Sequence, residues 1–546
     1  MKYKCKLEKI TPHFIEDYLT SCGVSNVQKY LNPDNSCYEN PMLYKNMDDA
    51  ITMFHDKIAN ADVGIVKDSD MDGDCSASII YQFCKLHNVC PVVYVHDNKQ
   101  HGVHDLMEQI LQANHTLLIV PDAGTNDTED FKIIKEANPN CDILVLDHHT
   151  PLMDNPYAIV VNNQVGNVNN HLSGAGVTYK FVEAYCMKYN IPLPNYKDLV
   201  GVSIVSDVCS FVPLENRAFL NECFTNPTNP FLTMLFDTIC QKHGRSPSAI
   251  GWDISPLSNA LARMQEQEYK NFFFECLVGL RSDYEESIKE MRRVKRKQDA
   301  IVKSVVDEVE TNLNNEHNAI IEFTEPENKG VIGLCAMKIA NKYNKPTILL
   351  RQLNSTTWTG SLRSPVDLLE AINDSNLAQC MGHGAACGIT VKKANLQRLQ
   401  TFLDNIDITS NIDYNICADV NLSDITLDLC SIIKQYNSLW GNDIEKPLFH
   451  IRLDCPEISL YKKLTTTLKL YKDGVSFIKF FCDANTVNTF ENCDNIVIDV
   501  IFDLDINEYN GKCSPQANII KWEIVQNEEE ERKHSDNEFN WDEIFI

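Results

Sequence analysis

The stretch VGIVKDSDMDGD, at residues 63–74, places four aspartates directly behind an apolar run that is typical of a buried strand. Like charges this close repel one another. The cluster is therefore either a run of solvated turn residues or a cation site. The positions of other acidic residues along the chain decide between these two interpretations.

The spacing of the four aspartates predicts two different roles. Along an extended segment Asp68, Asp70 and Asp72 share one face, so all three could point toward one ligand. Gly73 would permit a turn away from that face. Asp74 follows the turn and is predicted to cap the next helix. The first three aspartates are therefore predicted to bind metal, and Asp74 is predicted to have a structural role.

The chain is long enough for several domains. Its 546 residues are 44% apolar, and domains usually contain about 100–200 residues, which predicts about three of them. The 21 cysteines are scattered and no apolar signal segment is present, so we expect reduced thiols in a cytoplasmic or nucleoid-associated protein. No apolar run is long enough to cross a membrane. The net charge of −27 argues against general attraction to nucleic acid, although local basic patches can overrule it.

Alternating apolar and helical segments predict an α/β fold. Apolar runs between residues 63 and 163, separated by helical stretches, indicate a parallel sheet. A helical region at 172–315 precedes a second strand–helix alternation, and from about residue 445 strands without long helices favour a small antiparallel barrel or sandwich. The predicted parts are a helical lead-in at 1–60, an α/β domain at 61–280, a linking helix at 281–315, a smaller α/β domain at 316–405, a β domain at 406–526 and an acidic disordered tail at 527–546.

Further acidic and imidazole side chains follow apolar runs of the first α/β domain. Asp122 follows TLLIV, Asp147, His148 and His149 come at the end of DILVLD, and Asp207 ends GVSIVSD. The carboxyl ends of parallel strands line one edge of a sheet, so we expect these residues to converge with the first cluster. A single aspartate after a strand usually caps a helix. Four such strand ends together favour a cation site instead.

The ligand types indicate the metal. Carboxylates with one or two histidines, and no thiolates, suit Mg²⁺ or Mn²⁺ rather than structural zinc. Several carboxylates in one crevice also need divalent ions to offset their repulsion. A pair of ions would activate a water and neutralise charge on a phosphoryl group. The predicted chemistry is hydrolysis of a phosphoester or phosphoanhydride.

Four segments carry the acidic and imidazole residues, in the order DSDMDGDCSAS (68–78), VPDAGTND (120–127), LDHHTP (146–151) and SIVSD (203–207). They resemble the four motifs of the DHH phosphoesterase superfamily. Five further segments are LSGAGVTYKF (172–181), VPLENR (212–217), PLSNALAR (256–263), GSLRSP (360–365) and GHGAACG (382–388). These resemble the RecJ single-strand exonuclease branch of that superfamily. The segments LWGNDIEKPLF (439–449) and INEYNGKCSPQANIIKWEI (506–524) resemble its OB-like C-terminal domain, so the likeness covers nearly the whole chain.

The resemblance implies a 5′ to 3′ exonuclease that degrades single-stranded DNA to mononucleotides with Mn²⁺ or Mg²⁺, in repair, recombination or replication. The implied ligands of two ions are Asp68, Asp70, Asp72, Asp122, His148 and Asp207. Asp122 and His148 would also be catalytic, together with His149, which would contact the phosphate and stabilise the transition state or assist the leaving group. Asp147 would accept a hydrogen bond from a ligand histidine and fix its tautomer.

The same resemblance implies a set of residues that grip the substrate. They are Asn259, Arg263, Arg363, Gly382 and His383. Arginine suits this role because its planar fork binds phosphate through two parallel hydrogen bonds. Asn259 could instead cap a helix. Met381 and Ala262 stand where this branch usually has glycines, and they could reshape the nucleotide groove.

Two other functions are compatible with the motifs. One is a phosphodiesterase for short oligonucleotides or cyclic dinucleotides, but such enzymes usually lack the OB-like region. The other is a replication scaffold without catalysis, but a scaffold has no reason to keep mutually repelling carboxylates. The sequence therefore favours the exonuclease.

Two charged segments bear on possible partners. The run KEMRRVKRKQDAIVK, at 289–303, is either a solvated helix face or a surface that contacts the phosphates of single-stranded DNA. The tail at 527–546 could mimic phosphate or dock a replication or repair protein through its apolar tip. We expect a monomer without a membrane partner.

Overall fold

The computed structural model describes residues 2–96, 101–264, 266–313, 317–326, 328–406, 414–462, 465–482, 484–491 and 496–525. The predicted tail lies outside them. The chain divides into two compact units, one of Pro33–Ser410 and one of Met1–Asn32 with Asn411–Ile546. Of the helices in the described part, none is both long and apolar enough to cross a membrane.

The strands and helices agree with an α/β fold. The strands are β1 (Tyr3–Cys5), β2 (Val63–Lys67), β3 (Val92–Val95), β4 (Leu117–Pro121), β5 (Asp142–Asp147), β6 (Ile159–Asn162), β7 (Ile320–Phe323), β8 (Thr347–Gln352), β9 (Thr357–Arg363), β10 (Ala378–His383), β11 (Ala386–Lys392), β12 (Tyr414–Ile416), β13 (Ala418–Asp419), β14 (Leu448–Asp454), β15 (Glu457–Lys462), β16 (Thr466–Lys472), β17 (Val475–Lys479), β18 (Val497–Tyr509) and β19 (Lys512–Val525).

The helices are α1 (Phe14–Ser21), α2 (Val27–Leu31), α3 (Met47–Ile58), α4 (Met71–Leu86), α5 (Met107–Ala113), α6 (Thr128–Ala137), α7 (Gly174–Tyr189), α8 (Lys197–Ser206), α9 (Leu214–Thr225), α10 (Pro230–Ile239), α11 (Pro247–Ala249), α12 (Ser255–Met264), α13 (Phe272–Leu277), α14 (Tyr284–Asn312), α15 (Ile332–Tyr343), α16 (Leu369–Asp374), α17 (Leu396–Asp404), α18 (Leu427–Gln435) and α19 (Ala484–Glu491).

The first sheet is parallel, as the sequence predicts. Its strand order is β3-β2-β4-β5-β6, and every neighbouring pair runs in the same direction. All five residues of β2 and all five of β4 are buried, because helices cover both faces of a parallel sheet. β3 and β4 lie on opposite sides of β2, so the strand order reverses between β2 and β4. Ligand crevices form at such switch points.

A long helix follows the helical region, close to where the sequence predicts a linking helix. α14 contains 29 residues and begins at the N-cap Asp283, whose side chain accepts a hydrogen bond from the backbone N–H of Glu286. Its buried residues recur every three to four positions, which is the pattern of one packed face. The opposite face carries the basic run.

The second sheet is mixed. Its order is β10-β11-β9-β8-β7, in which β7 and β8 are parallel and the other pairs are antiparallel. Its core contains Ile348, Leu362, Ile389 and Leu399. This sheet holds the segments GSLRSP and GHGAACG on neighbouring strands β9 and β10–β11.

The other unit contains a seven-stranded sheet of order β13-β14-β18-β19-β17-β16-β15, which agrees with the predicted OB-like β domain. The sequence treats residues 1–60 as one helical lead-in, whereas the structure divides that segment after Asn32. The reason is a long-range pairing, because β1 forms a parallel ladder with β12, with Tyr3 opposite Tyr414. A three-residue strand has no periodicity that could reveal this partner.

The close spacing of β8 and β9 at Gly360 gives a test of the second sheet. A Cβ at Gly360 would overlap the carbonyl oxygen of Leu349. We expect Gly360→Ala to lower the free energy of unfolding by about 1–3 kcal/mol, because the strands must separate to admit the methyl group. Thermal unfolding of the purified protein measures the change.

Gly388→Ala is the matched control in the same sheet. A Cβ there would meet the carbonyl oxygen of Met381 only at an ordinary contact distance of 3.7 Å. Equal melting temperatures for the two variants would contradict the steric explanation.

Candidate active site

Acidic side chains gather where the strand order of the parallel sheet reverses. Asp68 directly follows β2, and Asp122 directly follows β4. These two strands flank the switch point, so the two residues face one crevice. The predicted convergence of strand ends is confirmed for these positions by the short distances between the acidic groups.

The turn from β2 into α4 is tighter than the sequence predicts. Asp70 is the N-cap of α4, and its side chain accepts hydrogen bonds from the backbone N–H groups of Asp72 (3.1 Å) and Gly73 (3.2 Å). Asp72 therefore lies in the first helical turn, and the predicted extended alternation from Asp68 to Asp72 is wrong. A carboxylate at the N-cap satisfies free backbone donors of the helix and explains the early start.

The remaining residues of the motif pack inside the protein. Asp74 does not cap a helix, contrary to the prediction, but forms a buried ion pair of 2.7 Å with Lys67. Burial raises the pKa of Asp74 to about 6, although Lys67 opposes the rise. Gly73 is required for close approach rather than for a turn, because a Cβ there would lie 2.6 Å from the backbone oxygen of Asp68.

Asp72 is fixed by the start of a second helix. One of its oxygens accepts the backbone N–H of Gly174 (2.8 Å), and the other accepts the N–H of Ala175 (2.9 Å) and the hydroxyl of Ser203 (2.5 Å). The first N–H groups of a helix have no partner within the helix and favour negative charge. The LSGAG segment therefore holds Asp72 in place.

Asp122 adopts an unusual backbone conformation. Its φ is 64°, in the left-handed region, and its side chain is buried with the Oδ1 atom lacking a hydrogen bond. A Cβ at Gly174 would overlap the Asp122 carboxylate. Burial, followed by the charges of Asp72 and the other nearby aspartates, raises the pKa of Asp122 well above its usual range. This carboxylate is held where its charge is unfavourable without a cation.

His148 lies among three carboxylates. Its Nε2 is 3.2 Å from Asp122 Oδ1, 3.7 Å from Asp207 Oδ2 and 3.8 Å from Asp72 Oδ2. Asp207 reaches this point from the C-terminal end of α8, so the prediction that it follows a strand is wrong. An apolar run of this length fits a buried helix as well as a strand. Burial and the charge of Asp72 raise the pKa of Asp207 to about 6.

Asp147 and His149 form a pair at the end of β5. Asp147 Oδ1 lies 2.8 Å from His149 Nδ1 and also accepts the backbone N–H of His148, so the imidazole of His149, not of His148, is the one it orients. Burial alone would raise the pKa of Asp147, but the hydrogen bond and charge of His149, with smaller contributions from Thr125 and His148, together outweigh it and lower the value to about 2. The same bond raises the pKa of His149 to about 9.

The predicted metal ligands fall into two separate sets of three. In each set the ligand atoms lie within 4.8 Å of one another, and the sets are Asp68 with Asp70 and Asp122, and Asp72 with His148 and Asp207. Asp122, His148 and His149 form a third group that connects them. These oxygen and imidazole donors suit Mg²⁺ or Mn²⁺. Members of both sets line one cleft of about 810 Å³, together with Gly382 of β10.

Comparison with known proteins gives matches over most of the chain. Residues 62–204 match the DHH family, N-terminal domain, and residues 416–521 match the RecJ OB domain. A relative in Bacillus subtilis strain 168, named "Putative SPbeta prophage-derived single-strand DNA-specific exonuclease YorK", is 28% identical over 91% of this chain and 96% of its own. The chain therefore contains a DHH-family domain and a RecJ-type OB domain, in agreement with the motifs.

More distant relatives and solved structures match the chain over a similar length. The single-stranded-DNA-specific exonuclease RecJ of Bacillus subtilis is 22% identical over 91% of this chain and 66% of its own. The crystal structure of RecJ from Thermus thermophilus in complex with Mn²⁺ superimposes with a TM-score of 0.74 at 17% identity, over 92% of this chain and 74% of that one. The same protein in complex with Mg²⁺ gives a TM-score of 0.71 at 15% identity, over 96% of this chain and 79% of that one. The likeness to the solved structures shows that the chain has the RecJ fold.

The predicted substrate residues lie on α12, β9 and β10. Burial and then the charge of Arg363 lower the pKa of Arg263. Asn259 lies inside α12 and not at its cap. Gly382 has a φ of 126° and lines the cleft. The backbone of His383 belongs to β10, and its side chain lies outside the described residues.

Two polar residues of the cleft, Asp127 and His101, are not predicted from the sequence. Asp127, within the VPDAGTND motif, accepts the backbone N–H of Val103 (2.8 Å), and the motif itself could have drawn attention to it. His101 also lines the cleft, and its Nδ1 is 2.6 Å from Asp68 Oδ2. The hydrogen bond to Asp68 raises the pKa of His101. His101 stands outside every motif, so no local pattern indicates it.

The unfavourable charge of Asp122 gives a test of the metal centre. We expect Asp122→Asn to raise the free energy of unfolding of the metal-free protein by about 0.5–2 kcal/mol, because it removes one of several buried repelling charges. Asparagine also tolerates the left-handed backbone. Addition of Mn²⁺ should stabilise the wild type and have much less effect on the variant. Thermal unfolding with and without Mn²⁺ measures both effects.

Asp154→Asn is the control, because Asp154 is exposed and outside the cleft. Its melting temperature and its response to Mn²⁺ should equal those of the wild type. An Asp122→Asn protein that responds to Mn²⁺ like the wild type would contradict a metal role for Asp122.

Proposed function

We propose that this protein is a metal-dependent exonuclease that removes mononucleotides from the 5′ end of single-stranded DNA, using two Mn²⁺ or Mg²⁺ ions. The observation that carries the proposal is the pair of three-ligand sets in one cleft. Each set has enough oxygen and imidazole donors for one ion, and two-ion sites are suited to phosphoryl displacement. The names of the relatives support single-stranded DNA as the substrate.

The ions would offset the carboxylate charges, activate the attacking water and stabilise the charge that develops on the phosphate. Asp72 is fixed by two backbone N–H groups, and the Asp122 carboxylate is buried against Gly174, so both are placed before metal binds. His149 is held by Asp147 through Nδ1, which leaves Nε2 free to donate to a phosphate oxygen or to the leaving oxygen. Its raised pKa keeps that proton available at neutral pH.

The β domain supports single-stranded DNA as the substrate class. Phe480 and Phe481 follow β17 and are 51% and 77% exposed, which is unusual for phenylalanine. Phe481 also has a left-handed backbone with φ of 56°, a conformation that bulky residues rarely adopt without a reason. Exposed aromatic rings on OB domains stack on unpaired bases without regard to sequence.

The basic run on α14 is a candidate surface for contact with DNA phosphates. Fewer of its side chains are available for this than the number of lysines and arginines indicates. Arg293, Lys295 and Lys297 form ion pairs with Glu290, Asp299 and Glu266 respectively. Arg292 and Arg296 are exposed, and neither has an ion-pair partner within the described part of the chain. Four residues apart on a helix, they lie on one face.

A nuclease assay tests the reaction and its polarity together. Wild-type protein with Mn²⁺ should release labelled mononucleotides at once from 5′-labelled single-stranded DNA, whereas 3′-labelled DNA should shorten progressively. Asp122→Ala should lose activity by at least about a thousandfold, because it removes a shared ligand. A DNA substrate also implies action in the cytoplasm or at the nucleoid.

Three outcomes of this assay would contradict the proposal. Release of label first from the 3′ end would reverse the polarity. Activity confined to dimers and trimers would assign the protein to short-oligonucleotide phosphodiesterases. Full activity of Asp122→Ala would show that the cleft is not the active site.

Salt dependence tests the face of α14. We expect the variant with both Arg292→Ala and Arg296→Ala to bind long single strands more weakly and to reduce the slope of log affinity against log salt by about 0.7 for each lost phosphate contact. Fluorescence anisotropy of a labelled strand in Ca²⁺, across several salt concentrations, measures this slope.

The matched control changes Arg293 and Lys297 to alanine on the same helix. Their charges are already offset by Glu290 and Glu266, so the slope should change little. If both double variants reduce the slope equally, the helix acts through its net charge and not through the Arg292–Arg296 face.

A further inference from the structure

His101 sits over the same cleft as the predicted metal ligands, in a segment that no motif covers. Its Nδ1 lies 2.6 Å from Asp68 Oδ2, while its side chain remains 51% exposed. Asp68 itself is buried. The imidazole is therefore attached at one nitrogen to a fixed carboxylate and open to the cleft on its other side.

The Asp68–His101 pair repeats the arrangement of Asp147 and His149. In both pairs a buried aspartate oxygen meets Nδ1 of a half-exposed imidazole, at 2.6 and 2.8 Å. The second oxygen of Asp68 accepts the backbone N–H of Ser69 at 2.7 Å, which fixes the carboxylate plane. The two rings lie 6.0 Å apart between centroids. Each aspartate orients its ring and leaves Nε2 as the available nitrogen.

The backbone that carries His101 is anchored independently of Asp68. Asp127 accepts the N–H of Val103 at 2.8 Å, and a Cβ at Gly102 would overlap the Asp127 carboxylate. Gly102 has a φ of 79°, which glycine adopts without strain. The side chain of His101 is thus held by Asp68 and its backbone by Asp127, so it loses little conformational entropy when it contacts a ligand.

The cleft has few donors for an anionic substrate. Among the described residues that line it, none is lysine or arginine. His148 is only 14% exposed and is surrounded by carboxylates. Among the basic side chains that line the described part of the cleft, the exposed imidazoles of His101 and His149 therefore remain as donors for phosphate oxygens beside any bound ions.

We propose that His101 is a phosphate-contacting residue of the active site, which donates from Nε2 to a phosphate oxygen of the bound nucleotide while Asp68 holds Nδ1. This assignment rests on the proposed nucleotide substrate. It gives the cleft a second Asp–His pair, opposite Asp147–His149, so that one phosphate group is held by imidazoles on two sides.

The test separates contact with phosphate from orientation of Asp68. His101→Asn retains an amide N–H near the place of Nδ1 and can still donate to Asp68, but it has no group in the place of Nε2. His101→Ala removes both. Isothermal titration of each protein with thymidine 5′-monophosphate in Mn²⁺ reads nucleotide binding without turnover. We expect both variants to bind about 10- to 100-fold more weakly, the range for loss of a hydrogen bond to a charged group.

His104→Ala is the matched control. His104 belongs to the same loop and pairs with Asp130 at 3.1 Å, but its side chain is 85% exposed and does not line the cleft. It should bind the nucleotide like the wild type. The Mn²⁺ affinity of His101→Asn, measured in the same way, should also equal that of the wild type, because the bond to Asp68 is retained.

Two results would overturn the assignment. Wild-type nucleotide affinity in His101→Asn would show that His101 only positions Asp68, and wild-type affinity in His101→Ala would show that it does neither. If His101→Asn binds Mn²⁺ more weakly, and this accounts for its whole loss of nucleotide affinity, His101 also only positions Asp68. A wild-type protein that binds Mn²⁺ but no nucleotide would instead overturn the proposed function.

Discussion

Mutual repulsion among buried carboxylates is the constraint around which this active site is built. Burial and the charges of Asp72 and three other aspartates raise the pKa of Asp122 far above its usual range. The fold offsets part of that repulsion with backbone dipoles, because Asp70 caps α4 and Asp72 accepts the first N–H groups of α7. Divalent cations would offset the rest. The metal-free protein is thus less stable than it could be, and its site is shaped before metal arrives.

Close approach of backbone segments is what permits this concentration of charge. A Cβ at Gly73 would collide with Asp68, and one at Gly174 would collide with the Asp122 carboxylate. Gly73 follows Asp72 in the motif DMDG, and Gly174 faces Asp122 from the motif SGAG. Each short motif thus supplies a predicted metal ligand, or the backbone N–H groups that hold one, together with the space that a neighbouring carboxylate needs. The left-handed conformation of Asp122 completes the arrangement, since it turns the side chain at the end of β4 into the crevice.

The sequence is most informative where chemistry and periodicity coincide. Asp122 and Asp147 end buried parallel strands, and alternation alone places them at one sheet edge. For Asp207 the predicted strand is wrong because an apolar run of seven residues fits a helix as well, yet its side chain still reaches the site from α8. The predicted extended geometry is wrong at Asp72, because Asp70 already caps α4 and Asp72 lies in the first turn of that helix. His101 and the β1–β12 pairing depend on contacts between distant residues, which no local pattern contains.

To bind single-stranded DNA as proposed, an acidic chain needs its positive charge in particular places. On α14 four of the seven cations of the basic run form ion pairs with neighbouring acids, and the described lining of the cleft has no lysine or arginine. In the proposed reaction, attraction at the phosphate would come from bound ions and from imidazoles held by aspartates. A cleft without ions presents mainly carboxylates and would repel phosphate. Under the proposed function, metal binding and nucleotide binding are therefore coupled, and each should strengthen the other by the same factor.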